Sequence, residues 1–115
     1  MVLDKDLILE FLSKYRYLHD SSLINLNYDI KNQIVELLID ASVYEQSGGN
    51  KRQNIKLIFS GINHIELKEI FDWDFFDKIS LEVVDFKDNK CFKFLSSDFN
   101  PQLLIVSENI ECKAL

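Results

Sequence analysis

The chain has no apolar run near the about 20 residues that a membrane-spanning helix requires. Its opening residues, "MVLDKDLILEFL", set two aspartates ahead of the first apolar stretch. Both features argue against a signal peptide or a membrane anchor and point to a cytoplasmic protein. Cysteine is scarce, with only Cys91 and Cys112. In a reducing compartment these two are expected as small core or strand residues rather than as a bridge. Histidine is equally scarce: neither His19 nor His64 has a second histidine or a cysteine at ligand spacing, so no metal site is expected. Basic residues are outnumbered, 13 Lys and Arg against 19 Asp and Glu for a net charge of −6, and the only adjacent basic pair is Lys51-Arg52. Nucleic-acid binding needs clustered cations to neutralise phosphates, so a nucleic-acid partner is not expected. The patterns GxGxxG, GxxxxGK[ST], HExxH, CxxC and GxSxG are all missing, which removes the common nucleotide, zinc-protease, redox and hydrolase signatures; no cofactor is expected.

What is present describes one folded domain, residues 1 to 115, with 47% hydrophobic and 28% charged residues, far from the composition of disordered chains. From Leu3 to Leu18 the residues Leu7, Ile8, Phe11, Leu12, Tyr15 and Leu18 recur at spacings of three and four, the stripe of an amphipathic helix, with Asp4 and Asp6 suited to its start. The period then changes to two. Ile24, Leu26, Tyr28 and Ile30 alternate with Asn25, Asn27 and Asp29, and Val35, Leu37, Ile39, Ala41 and Val43 alternate with polar residues, the short "KNQ" between them suiting a hairpin. "EQSGGNKRQN", Glu45 to Asn54, holds two of the three glycines and no apolar residue, and is expected to be an exposed loop. "IKLIFSG" and "NHIELKEIF" are expected as a third and a fourth strand. "ISLEVVDF" and "CFKFLS" flank the turn-like "KDNK", and Pro101 precedes a final run, "LLIVSENIECKA". No helical segment long enough for a crossover lies between these strands. The expected fold is therefore α+β and mainly β, an antiparallel meander of six to seven strands with the N-terminal helix packed on one face.

The stretch "YRYLHDSSLINLNYD" brings His19, Asp20, Ser21 and Ser22 together in sequence, but adjacent residues diverge in a turn, and catalytic triads draw their members from separate segments. Turn chemistry accounts for them: Asp20, Ser21 and Ser22 satisfy backbone groups where helix gives way to strand, and His19 sits near a helix C-terminus. His64 is expected on a solvent face beside Glu66. The most unusual segment is "ELKEIFDWDFFDKISLEVVDFKD", Glu66 to Asp88, with eight acids against three lysines. At its centre Phe71, Trp73, Phe75 and Phe76 interleave with Asp72, Asp74 and Asp77. Large aromatics anchor protein interfaces and a field of one sign steers an oppositely charged partner, so Glu69, Asp72, Trp73, Asp74 and Asp77 are the candidate partner-binding residues. The competing reading tucks the aromatics into the core and leaves the aspartates in water.

Together the helix, "YLHDSSLINLNYD", "IKLIFSGINHIEL" and the closing "LLIVSENIEC" resemble a type of small bacterial protein in which an "HDS" turn opens the first strand and an F-x-G-V/I strand lies mid-chain. Some such proteins are similar to immunity proteins encoded beside polymorphic or contact-dependent toxins. The resemblance implies a small cytoplasmic domain without enzymatic activity that binds a cognate toxin domain of basic surface. It carries over no functional residue. Two rival readings remain: a small enzyme or ligand-binding module with its site in a concavity of the sheet, and a protein that forms a homodimer through an exposed strand edge.

Overall fold

The structure is a computed structural model that describes residues 5–18, 21–43, 51–67, 81–86, 89–95 and 101–115. In chain order these form helix α1 (Lys5–Ser13), a 3-10 turn (Arg16–Leu18) and strands β1 (Ser22–Asp29), β2 (Ile34–Val43), β3 (Lys51–Leu67), β4 (Leu81–Phe86), β5 (Asn89–Leu95) and β6 (Pro101–Ala114). The protein is mainly β, with one N-terminal helix. Strands β1, β2, β3 and β6 make an antiparallel sheet of four strands, and β5 and then β4 pair onward from β6.

The helix is shorter than the apolar stripe predicts. Ser13 Oγ donates to the Glu10 carbonyl at 2.6 Å, a local bond that competes with helix continuation. The following turns tighten, with Tyr15 N donating to Leu12 O at 3.0 Å and Leu18 N to Tyr15 O at 2.9 Å. Arg16, Tyr17 and Leu18 then adopt left-handed φ of 55°, 52° and 65°. This reversal returns Leu18 to the core beside Ile8, Leu12 and Tyr15, while Leu7 is left exposed on the helix flank.

Side-chain alternation holds best in β2, where Val35, Leu37, Ile39 and Ala41 are fully buried. Register extends these into apolar rows across the sheet: Tyr28–Val35–Phe59–Ile110, Leu26–Leu37–Leu57–Cys112, and Leu23–Ile39–Ile55. Strand β1 departs from its expected face. A bulge between Leu23 and Asn25 buries Leu23 in place of Ile24, which points to solvent, and Ile30 lies exposed in the turn beyond the strand. An extra residue on one strand shifts the side-chain phase by one, which is why simple alternation from Ile24 fails.

Three further expectations are corrected. The presumed third and fourth strands are one strand, β3, of 17 residues. Its first residues, Lys51 to Asn54, pair with Val43 to Asp40 and so are not loop; the rest of that loop, 45–50, lies outside the described residues. Nor is the topology a simple meander, because β3 pairs with β6 rather than β4. A strand as long as β3 leaves a full edge of unpaired amides once β2 is in place, and β6, with 14 residues, is long enough to satisfy it.

Where β3 meets β6 both strands change phase together. Phe59 and Ile110 point inward as one pair and Ile62 and Ser107 as the next, with two residues between them on each strand instead of one. Gly61 occupies this break with φ of 66°, and a Cβ there would lie 2.8 Å from Glu108 Oε2 and 2.9 Å from Glu108 Cβ. A bulge at Asn63 then shifts the register of β3 against β6 by one residue. Across β6 the rings of Phe59 and Phe92 meet edge to face at 5.1 Å. Between Ile105 and Ile110 the inward-facing residue of β6 is the small, fully buried Ser107.

A single glycine thus carries both the left-handed backbone and the close strand approach. Gly61→Ala is expected to lose about 1 to 3 kcal/mol of folding stability, the range for a non-glycine residue held in a sparsely populated backbone region. Urea melts of variant and parent measure this; equal midpoints would mean that Glu108 moves aside and the backbone relaxes without penalty.

Candidate functional site

Glu69, Asp72, Trp73, Asp74 and Asp77 all fall within 68–80, outside the described residues, as do His19 and Asp20. The structure does define where the acidic segment joins the sheet. Leu67, Leu103, Phe94 and Leu81 form one backbone row across β3, β6, β5 and β4, and Leu95 faces Pro101 at the same end. Segments 68–80 and 96–100 therefore both leave and rejoin the fold at one end of the sheet.

The solvent face of the sheet is a second charged region, and its geometry is complete. Alternation that buries Leu37, Leu57 and Cys112 on one side places Glu36, Lys56, Glu111 and Lys113 on the other. Register sets Asn27, Glu36, Ile58 and Glu111 in one row and Asn25, Leu38, Lys56 and Lys113 in the next. Acids of one row meet bases of its neighbour: Lys56 Nζ lies 3.6 Å from Glu36 Oε2 and Lys113 Nζ 3.7 Å from Glu111 Oε1. Toward the other end, Arg52 reaches Asp40 Oδ2 at 3.2 Å and donates to the Asp40 carbonyl at 3.0 Å. These pairs are half-exposed, so each contributes little to stability, but together they cancel the field of this face.

At the β1–β2 turn Asp29 accepts from the Asn32 amide side chain at 2.7 Å and from its backbone N–H at 3.2 Å. Those hydrogen bonds hold the Asp29 carboxyl below its ordinary value. The carboxylate holds the turn together. His64, on the outer half of β3, lies with Nε2 2.8 Å from Glu66 Oε1, the exposed pairing expected from the sequence. Among the described residues, no group of three or more His, Cys, Asp or Glu is placed to hold a metal ion, and no helix is long and apolar enough to cross a membrane.

Ser21 corrects the turn reading of the "HDS" motif. It is fully buried, and its backbone N–H donates to the Leu18 carbonyl at 3.3 Å, but its hydroxyl has no hydrogen-bond partner among the described residues. The side chain does not cap the strand entry. Cys112 is a free thiol in the Leu26–Leu37–Leu57 row; burial, and then the charge of Glu111, push its pKa up to about 12. It behaves as a small apolar residue, as the sequence suggests.

The charge rows on the solvent face escape a linear reading. Glu36, Lys56, Glu111 and Lys113 come from three strands; Glu111 and Lys113 meet along β6, and only the register brings Lys56 to Glu36. No family model matches the chain, and no curated protein or solved structure matches it.

Two expectations follow from this chemistry. Ser21→Ala removes a buried polar atom that makes no hydrogen bond among the described residues, so stability should stay unchanged or rise by up to about 1 kcal/mol. A urea melt showing a loss beyond about 1 kcal/mol would reveal a partner for the hydroxyl. In the native protein at mildly alkaline pH, Cys112 should resist alkylation until denaturant is added, because the reactive thiolate is scarce at a pKa of about 12. Mass mapping of the labelled Cys112 peptide distinguishes this from rapid native-state labelling, which would place the thiol in contact with solvent.

Proposed function

We propose that this protein is a non-enzymatic binding protein of immunity type, which neutralises a toxin domain of basic surface by protein–protein contact. The reading takes the scaffold as a sheet of six strands, the lower end of the expected six to seven, and places the partner-binding residues Glu69, Asp72, Trp73, Asp74 and Asp77 on the segment that joins β3 to β4. One observation carries it. The described residues hold ten acids and ten bases, so the whole net charge of −6 resides in the remaining residues. The segment at one end of the sheet, 68–80, contributes four acids against two lysines and brings the only tryptophan of the chain with them.

That segment holds the largest cluster of those acids, and its mix of acids and large aromatics suits a contact surface for a basic partner. Long-range attraction to a basic partner accelerates encounter, and a large aromatic then supplies desolvated contact area. Catalysis has no part in this reading; a partner's activity is blocked by occupation of its surface.

Changing Asp72, Asp74 and Asp77 together to asparagine should leave the melting temperature near that of the parent, because exposed charges contribute little individually to stability. Association with the toxin-like product of a neighbouring gene should slow, and the slowing should shrink as salt screens the remaining field. Trp73→Ala separates anchor from core: an anchor loses on the order of 2 kcal/mol of binding with little change in folding, whereas a core tryptophan loses roughly 3 to 5 kcal/mol of folding. Stopped-flow association and denaturant melts of the same proteins measure both. A triple variant that binds at the parental rate in low salt would remove this segment from the interface.

A further inference from the structure

We propose that two copies of this chain associate edge to edge through β1, antiparallel, in the register that sets Asn27 opposite Asn27 of the second copy. Strand β1 ends the order of the sheet, so among the described residues no strand pairs with its outer edge, and an edge of this kind invites pairing with another strand. Edges are usually guarded by lysine or proline, yet Ser22–Asp29 contains neither, and its only charged residue is Asp29.

The edge is complementary to itself. With Asn27 on the two-fold axis, Leu26 faces Tyr28 of the second copy on the inner side of the joined sheet. Asn25 faces Asp29 on the outer side, an amide donor against a carboxylate. Ile24, 51% exposed, comes opposite Ile30, 69% exposed. These two isoleucines, thrown into solvent by the bulge at one end of the strand and the turn at the other, would cover one another twice over, once at each end of the interface. Each of these pairs occurs twice by symmetry, as a two-fold contact demands. Moving the axis to Leu26 sets Asp29 against Leu23, and moving it to Tyr28 leaves Ile24 opposite Asn32. Placing it between residues opposes inner-face to outer-face side chains. The Asn27 register alone pairs every exposed apolar residue of this edge and keeps the two Asp29 carboxylates apart. The contact is a strand addition of a few residues, so the dimer forms in proportion to concentration rather than as an obligate unit.

Sedimentation equilibrium of the full chain tests this independently of any toxin. The mass should rise from 13.5 kDa toward twice that value as concentration is raised. Asn27→Lys, which opposes two like charges at the axis, should hold the mass at 13.5 kDa with a parental melting temperature, since Asn27 is exposed. Asn27→Cys provides a second measurement: opposed Cβ atoms about 4.5 to 5.5 Å apart permit a bridge, so mild oxidation should yield a covalent dimer that neither the parent nor Ile58→Cys, on the central strand, forms. A parent that stays monomeric at every concentration would leave the edge to some other chain and overturn the proposal. A dimer undiminished by Asn27→Lys would also overturn it, by placing the interface elsewhere.

Discussion

The pairing of β3 with β6 joins two hairpin systems that share no local contact. On one side β1, β2 and β3 follow one another by short connections; on the other β4, β5 and β6 do the same. Their union depends on residues as far apart in sequence as Ile55 and Ala114. Loop-closure entropy must be overcome before that pairing returns any energy. The return comes from apolar rows that become continuous only when both halves are present, and from the Phe59–Phe92 contact across β6. Gly61 and Glu108 sit at the centre of this seam, where the chain gives up regular geometry so that two long strands can bend together.

The two faces of the sheet have opposite physical characters, and the same register creates both. Inward, Val35, Leu37, Ile39, Ile55, Leu57 and Phe59 lie fully buried with α1 and the turn after it. Outward, acids and bases from neighbouring rows neutralise one another. A balanced face of this kind exerts little long-range attraction, whereas the residues outside the described elements carry the whole net charge of the chain. Ion pairs this exposed contribute little to stability and are screened by salt.

The helix-to-sheet junction holds the longest run of left-handed backbone among the described residues. Three successive non-glycine residues, Arg16, Tyr17 and Leu18, hold left-handed backbone, each at a penalty on the order of 1 kcal/mol or more. The junction persists because its ends are anchored. Tyr15 and Leu18 are buried with Ile8 and Leu12, and the tilted rings of Phe11 and Tyr15 meet with centroids 5.2 Å apart. Burial of Tyr15 also raises the pKa of its hydroxyl, consistent with a ring held against the core rather than in water. Ser21, buried with no hydroxyl partner among the described residues, lies at the same place.

Much of this was legible in the residues. Apolar spacing marked the helix through Ile8 and Leu12, though it carried the helix past its end at Ser13, and alternation identified the buried face of β2 at Val35, Leu37, Ile39 and Ala41. These features survive because helix and strand periods act locally, each residue facing inward or outward by its own position in the chain. Alternation says which face a residue takes, not which strand lies beside it. Partnership between β3 and β6, the fusion of two expected strands into one, and the cross-strand ion pairs all required contacts between distant residues. The exposure of Ile24 was set by a bulge that one extra residue creates against β2. A change of phase inside a strand leaves no mark on composition, and only the packed sheet decides where it falls, because there each residue must serve its neighbours on both sides at once.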